Sequence, residues 1–186
     1  MRNMQWMSAG LCAALLFSGS QSFADGSSPP PAQTPTTTAP SDGDFLVRAL
    51  RVNQLELVLG QMALKRATTP EVRAMGEKMV QKHTEFGRQL SALAQRPPTS
   101  GAPKLSAEQQ RTVVRLASLS GSDFDQSFKD VVDAGHVEEL AMYRDETGRA
   151  ADPRLRALAQ ARVLTLQQTV AKASQAMNAA PKNEDW

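Results

Sequence analysis

The run at residues 122–147, SDFDQSFKDVVDAGHVEELAMYRDET, limits the possible folds more than any other stretch. Phe128, Val132, His136, Leu140 and Tyr143 follow one another at spacings of four, four, four and three, which stacks them on one side of an α-helix. A helix this long with an unbroken apolar stripe has to be covered by other helices. His136 lies inside that stripe and not on a washed face.

Three further long helices supply the cover. The first spans about residues 44–67. In it Phe45, Ala49, Val52, Glu56, Leu59 and Ala63 recur at alternating fours and threes, the pattern of a bundle seam. Glu56 falls within the seam, where a charge is unusual. The second opens at Thr68-Thr69-Pro70-Glu71: a threonine N-cap, proline at the first helical position and an acid in the first turn. It runs to about Gln95 with Val72, Met75, Met79, Phe86 and Leu90 on its stripe, and His83 leans to the same side. Pro97-Pro98 ends it. The last begins at Asp152-Pro153 and runs to about Asn178 through Leu155, Leu158, Leu166 and Val170.

A capping box, Ser106-Ala107-Glu108-Gln109, opens one shorter helix that ends near Ser118. Gly121-Ser122 then breaks the chain, with Ser122 as the expected cap of the helix that Gly148 ends. Four helices of about 23 to 27 residues are roughly 35–40 Å long. Matched lengths and short turns predict an all-α, four-helix bundle with one extra short helix. The longer connection that holds the short helix is where a crossover would run, as in a ferritin-like topology. Aromatic residues make up 5% of the chain, so the core is expected to be mostly Leu, Val, Ala and Met.

The bundle is expected over residues 43–179, with a frayed tail at 180–186. Residues 1–24 read as a signal peptide. Arg2 supplies the positive start, residues 7–17 the apolar centre, and Ser22-Phe23-Ala24 a cleavage site before Asp25. That apolar run is too short to span a bilayer, and no transmembrane segment is expected in the mature chain. The only cysteine, Cys12, lies in this segment. A chain beginning at Asp25 would have no thiol for a disulfide, a metal or a nucleophile. Residues 25–42 are rich in Pro, Thr and Ser and read as a flexible tether. The expected location is the periplasm, with secretion or outer-membrane association as the other routes.

A formal net charge of +2 with interspersed signs leaves no footprint for nucleic acid. The chain has no Gly-rich phosphate loop, serine nucleophile elbow or zinc-type Cys/His pair, and no residue is assigned a catalytic role. The candidates for site chemistry are Glu56, His83 and His136, with Asp133 or Glu139 beside His136. A helical bundle makes metal sites by aiming carboxylates and imidazoles inward, and a divalent ion such as iron or manganese is the expected type. Two Glu-x-x-His motifs are absent, because Val80 and Asp133 stand three residues before the histidines. The competing reading is structural: a buried Glu and two His satisfy one another and fix the register of the bundle.

Several short motifs fall in order along the chain. They are Asp44-Phe45, Asn53-Gln54-Leu55-Glu56, Gly60 with Ala63, Met79-Val80 with His83, and Phe124-Asp125-x-x-Phe128 followed by His136. Together they resemble the bacterial domain-of-unknown-function family 4142, over about residues 44–177. The resemblance implies a ferritin-like bundle behind a signal peptide, placed in the periplasm or outer membrane. If the family's histidines and glutamate form a metal site, it implies Glu56, His83 and His136 as ligands here. Three departures stand out. Lys82 replaces an acid before the histidine, Phe128 replaces a tyrosine, and Thr169 stands where the family's last helix carries a third histidine. Two functions follow as expectations: a non-enzymatic binding or envelope/stress-associated protein with an unidentified protein or envelope partner, or a divalent-metal-binding protein.

Overall fold

A computed structural model describes residues 41–95, 101 and 103–179. The expected signal peptide, nearly all of the tether, the Pro97-Pro98 helix stop and the C-terminal tail lie outside the described residues. Five helices follow in order: α1 (Asp42–Arg66), α2 (Pro70–Leu93), α3 (Ala107–Ala117), α4 (Gly121–Arg149) and α5 (Pro153–Ala179). The fold is all-helical, with four long helices and one short one, as the periodicity predicts.

The helix ends refine the sequence reading. α1 starts earlier than its apolar stripe does, because Ser41 and Asp44 form a capping box: Asp44 N–H donates to Ser41 Oγ (3.2 Å) and Ser41 N–H to Asp44 (3.1 Å). The Thr69 cap, the Pro70 start and the Ser106/Gln109 box stand as expected. Ser122 is not the cap of α4. The chain turns into that helix at Gly121, whose φ of 62° lies in the left-handed region. Gly148 stands one residue before the end of α4, which closes at Arg149 with Ala150 as its cap.

α1 and α2 form one helical hairpin, and α4 and α5 another. The first is packed closely at two glycines. A Cβ on Gly60 would lie 2.9 Å from the Gly76 carbonyl oxygen, and one on Gly76 would lie 2.7 Å from Ala63 Cβ. Two acids tie the hairpins together. Asp125, near the start of α4, accepts from Thr68 N–H (3.1 Å), Thr68 Oγ1–H (2.7 Å) and Thr69 N–H (2.8 Å) in the α1–α2 turn. Asp42, at the start of α1, accepts from Ala151 N–H (3.0 Å) and Asp152 N–H (2.7 Å) in the α4–α5 turn. Each end of α1 therefore meets the opposite end of α4, so the two helices run antiparallel. α2 and α4 then run parallel, and the connection between them has to travel the length of the bundle. It carries α3, which packs on α1 and α4 and buries Leu116.

The core is in two apolar parts. One gathers Phe45, Leu90, Tyr143, Leu155 and Leu166, with Tyr143 edge-on to Phe45 at 5.2 Å. The other gathers Leu59, Val72, Leu116, Phe124 and Phe128. On α1 the first part uses residues before Asn53 and the second uses residues after Glu56. α2 and α4 divide in the same way at His83 and at His136 and Glu139. A polar layer therefore crosses the middle of the bundle. Among the described residues, no helix is long and apolar enough to cross a membrane.

Candidate functional site: the polar layer

Burying charges in mid-bundle is costly unless each meets a partner. Glu56 is 3% exposed, His83 4% and Glu139 4%. Asn53, one helical turn before Glu56 on α1, aligns the first histidine: His83 Nδ1–H donates to Asn53 Oδ1 over 3.1 Å. Space for Asn53 comes from Gly87, where a Cβ would lie 2.6 Å from Asn53 Nδ2. With Nδ1 so occupied, His83 turns Nε2 toward Glu56, 2.6 Å from Oε2. The imidazole and the carboxylate are thus in close polar contact in the middle of the bundle. From α4, His136 places its own Nε2 3.9 Å from the same oxygen, and its buried Nδ1 has no hydrogen-bond partner.

Glu139 belongs to a different pair. Arg162 of α5 grips it bidentately, Nε to Oε1 at 2.9 Å and Nη2 to Oε2 at 2.8 Å. The guanidinium also lies over the Phe86 ring, 4.6 Å from its centroid, and so joins α5 to α2. Burial works against ionising both acids, with different results. At Glu56, burial is outweighed by the contact with His83 and the charges of His83, His136 and Arg162, and the carboxyl is held below its ordinary value. At Glu139 burial prevails over Arg162, with the Glu56 charge adding to it, and the carboxyl is pushed up. Burial also pushes the neighbouring Tyr143 phenol well up, helped by the charge of Glu139.

Of the five residues singled out by sequence, the fold thus brings three together, Glu56, His83 and His136. Glu139 shares the layer but is held by Arg162. Asp133 is half-buried and lines a separate cavity of about 270 Å³ between α4 and α5, together with His136, Val170 and Ser174. Thr169 donates its hydroxyl to the Thr165 carbonyl of its own helix over 3.0 Å. Two participants escaped the sequence reading. Arg162 continues the α5 stripe between Leu158 and Leu166 at spacings of four, and a charge in that stripe was the available signal. Asn53 lies in a quoted motif, but its polarity alone does not announce an imidazole anchor.

The donor set of two imidazoles and a carboxylate suits a transition metal. The spacing does not yet suit one. Ligands held by tetrahedral bonds of about 2.0 Å sit roughly 3.3 Å apart, and Glu56 is closer than that to His83. Among the described residues, no group of three or more His, Cys, Asp or Glu side chains is arranged to hold a metal ion as it stands.

Solved structures similar in fold share little sequence with this chain. A DUF305 fragment from Deinococcus radiodurans is 20% identical with a TM-score of 0.62, covering 75% of this chain and 97% of that one. CopM co-crystallised in its Ag-bound form is 14% identical with a TM-score of 0.60, covering 77% and 100%. CopM in the Cu(I)-bound form is 15% identical with a TM-score of 0.59, covering 77% and 100%. At these identities the likeness is one of fold. No curated protein matches the chain. The family described as "Domain of unknown function (DUF4142)" matches residues 27–176, which takes in every residue of the polar layer, and the chain belongs to that family.

Proposed function

We propose that the protein is a non-enzymatic binding protein of the cell envelope, and that its core takes up one transition-metal ion between Glu56, His83 and His136. A single observation carries the reading. Two histidines on different helices turn Nε2 toward one buried carboxylate oxygen, and one of them is fixed in that tautomer by Asn53. An anchored Nδ1–H is the usual support of a ligating imidazole. Imidazole donors favour copper or zinc over iron and manganese, and copper tops the divalent affinity order. The solved relatives called Ag-bound and Cu(I)-bound CopM share the fold and support the same class of ion. The carboxylate has to withdraw from His83 as the ion enters. Export rests on the pattern of the first residues: Arg2, the apolar run and Ser22-Phe23-Ala24.

The second reading is structural, and the 2.6 Å contact favours it, because Glu56 already has His83 as its partner. Elemental analysis of tag-free protein, followed by titration with Cu(I), Cu(II) and Zn(II), separates the two. About one equivalent of metal, lost in both His83→Ala and His136→Ala, supports the site. No uptake of any of these ions, with variants that simply melt at lower temperature, assigns the histidines to stability alone.

A further inference from the structure

Glycine is a poor helix former, so one in mid-helix calls for a reason. Gly60 and Gly76 have theirs in the close approach of α1 and α2, and Gly87 in Asn53. Gly135, in the middle of α4, has none of this kind. A Cβ built there meets no atom within 4 Å. What Gly135 does border is a cavity of about 380 Å³ between α1, α3 and α4. A side chain at this position would have open space to fill.

The lining says what the cavity suits. Val52, Leu59 and Met142 give it apolar walls, and Glu56 and Glu139 bring the polar layer to its inner side. Exposed Glu108, Arg115 and Glu138 form its rim. Four carboxylates and one guanidinium thus line it, two of the acids already partnered from the bundle side. Arg162 occupies both oxygens of Glu139 and His83 Nε2 lies 2.6 Å from Oε2 of Glu56, so the acids whose charge is left for a ligand are Glu108 and Glu138 on the rim, beside Arg115. The volume is in the range of small-molecule sites, roughly 300–1,000 Å³. An anion would meet repulsion, and a bare hydrated ion would waste the apolar walls.

We propose that this cavity binds a small organic cation, an ammonium group on a flat apolar body, and that Gly135 keeps it open. The site borders Glu56, which the metal reading also uses, but does not rest on that reading. It uses the α3 side of the layer and needs neither imidazole as a ligand.

The test is calorimetric titration of the purified protein, with a chelator present, against three compounds of one shape: tryptamine, tryptophol and indole-3-acetate. Tryptamine is expected to bind saturably below about 1 mM and about tenfold more tightly than neutral tryptophol, the worth of one charge-assisted contact. The acetate is expected to bind more weakly still. Gly135→Leu should abolish tryptamine binding with the helical signal intact. Glu138→Gln, an exposed change that leaves the core alone, should weaken it severalfold. Equal affinity for the three compounds, no saturable tryptamine binding, or unchanged binding in Glu138→Gln and a folded Gly135→Leu would each overturn the proposal. If Gly135→Leu fails to fold, Glu138→Gln and the three-compound series decide it.

Discussion

Replacing Arg162 with methionine leaves the apolar stem in place and removes the guanidinium. The side chain is 11% exposed and its partner Glu139 3%. Both hydrogen bonds, at 2.9 and 2.8 Å, disappear, and a carboxylate is left buried without a partner. Breaking a buried pair from one side costs about 3–5 kcal/mol, against a total of roughly 5–15 kcal/mol for a domain. The expected loss in urea unfolding, followed by circular dichroism near pH 7, is about 3 kcal/mol or more. Burial already raises the Glu139 carboxyl, and without Arg162 it rises further. A raised acid stabilises the fold while protonated, and that contribution is lost as pH climbs through the folded value. The variant should therefore lose less stability near pH 5 than near pH 7. Adding Glu139→Leu removes the stranded charge and should restore most of the loss, with little remaining pH dependence. A single variant within about 1 kcal/mol of the parent, or a double variant no better than the single, would refute the argument that this pair is closed off from water.

Gly135→Ala adds a helix-forming residue where nothing obstructs it, and thermal unfolding should show about 1 kcal/mol of added stability. Gly76→Ala should do the reverse by about 1–3 kcal/mol in the same assay, because its Cβ would meet the Gly60 carbonyl oxygen at 2.8 Å and Ala63 Cβ at 2.7 Å. Asp125 loses solvation on burial, but its bonds to Thr68 and Thr69 outweigh this and hold the carboxyl at about 2 instead of 3.8. An acid depressed in this way stabilises the fold above its ordinary value and stops doing so as pH falls through the folded one. Acid unfolding of the parent should draw on that window, and Asp125→Asn should lack that part of the transition.

Much of this was legible because helices advertise themselves. A seam of threes and fours, a threonine before proline and a serine three residues before Gln109 each carry their own local reason, and α1, α2 and α3 start or pack accordingly. Where a helix end depends on more than its neighbours, the reading slipped. Ser122 has the right chemistry for a cap, but the chain had already turned at Gly121. Gly148 marks the other end of α4 to within one residue, because the helix closes at Arg149. The site divided in the same way. Glu56, His83 and His136 are legible as polar residues within apolar stripes. The partners of Glu139 and His83 are not, because a bidentate clamp from α5 and an amide anchor from α1 depend on how four helices are rotated against one another. The Phe124-Asp125-x-x-Phe128 motif also has a mundane content. Its two rings fill the core, stacked 6.0 Å apart, while its acid reaches the α1–α2 turn.

The two cross-hairpin carboxylates, Asp42 and Asp125, act together as a ruler. From Asp42 to Thr68 along the first hairpin, and from Asp125 to Ala151 along the second, the chain advances by the same number of residues. Each helix thus measures the other, end to end. Side chains between these marks can drift while the packing adapts, but a turn inserted into α1 alone would carry one acid past its target. Such a change is tolerable only when α4 lengthens by the same amount. The two lengths are thus coupled by four hydrogen bonds from backbone N–H groups at opposite ends of the bundle.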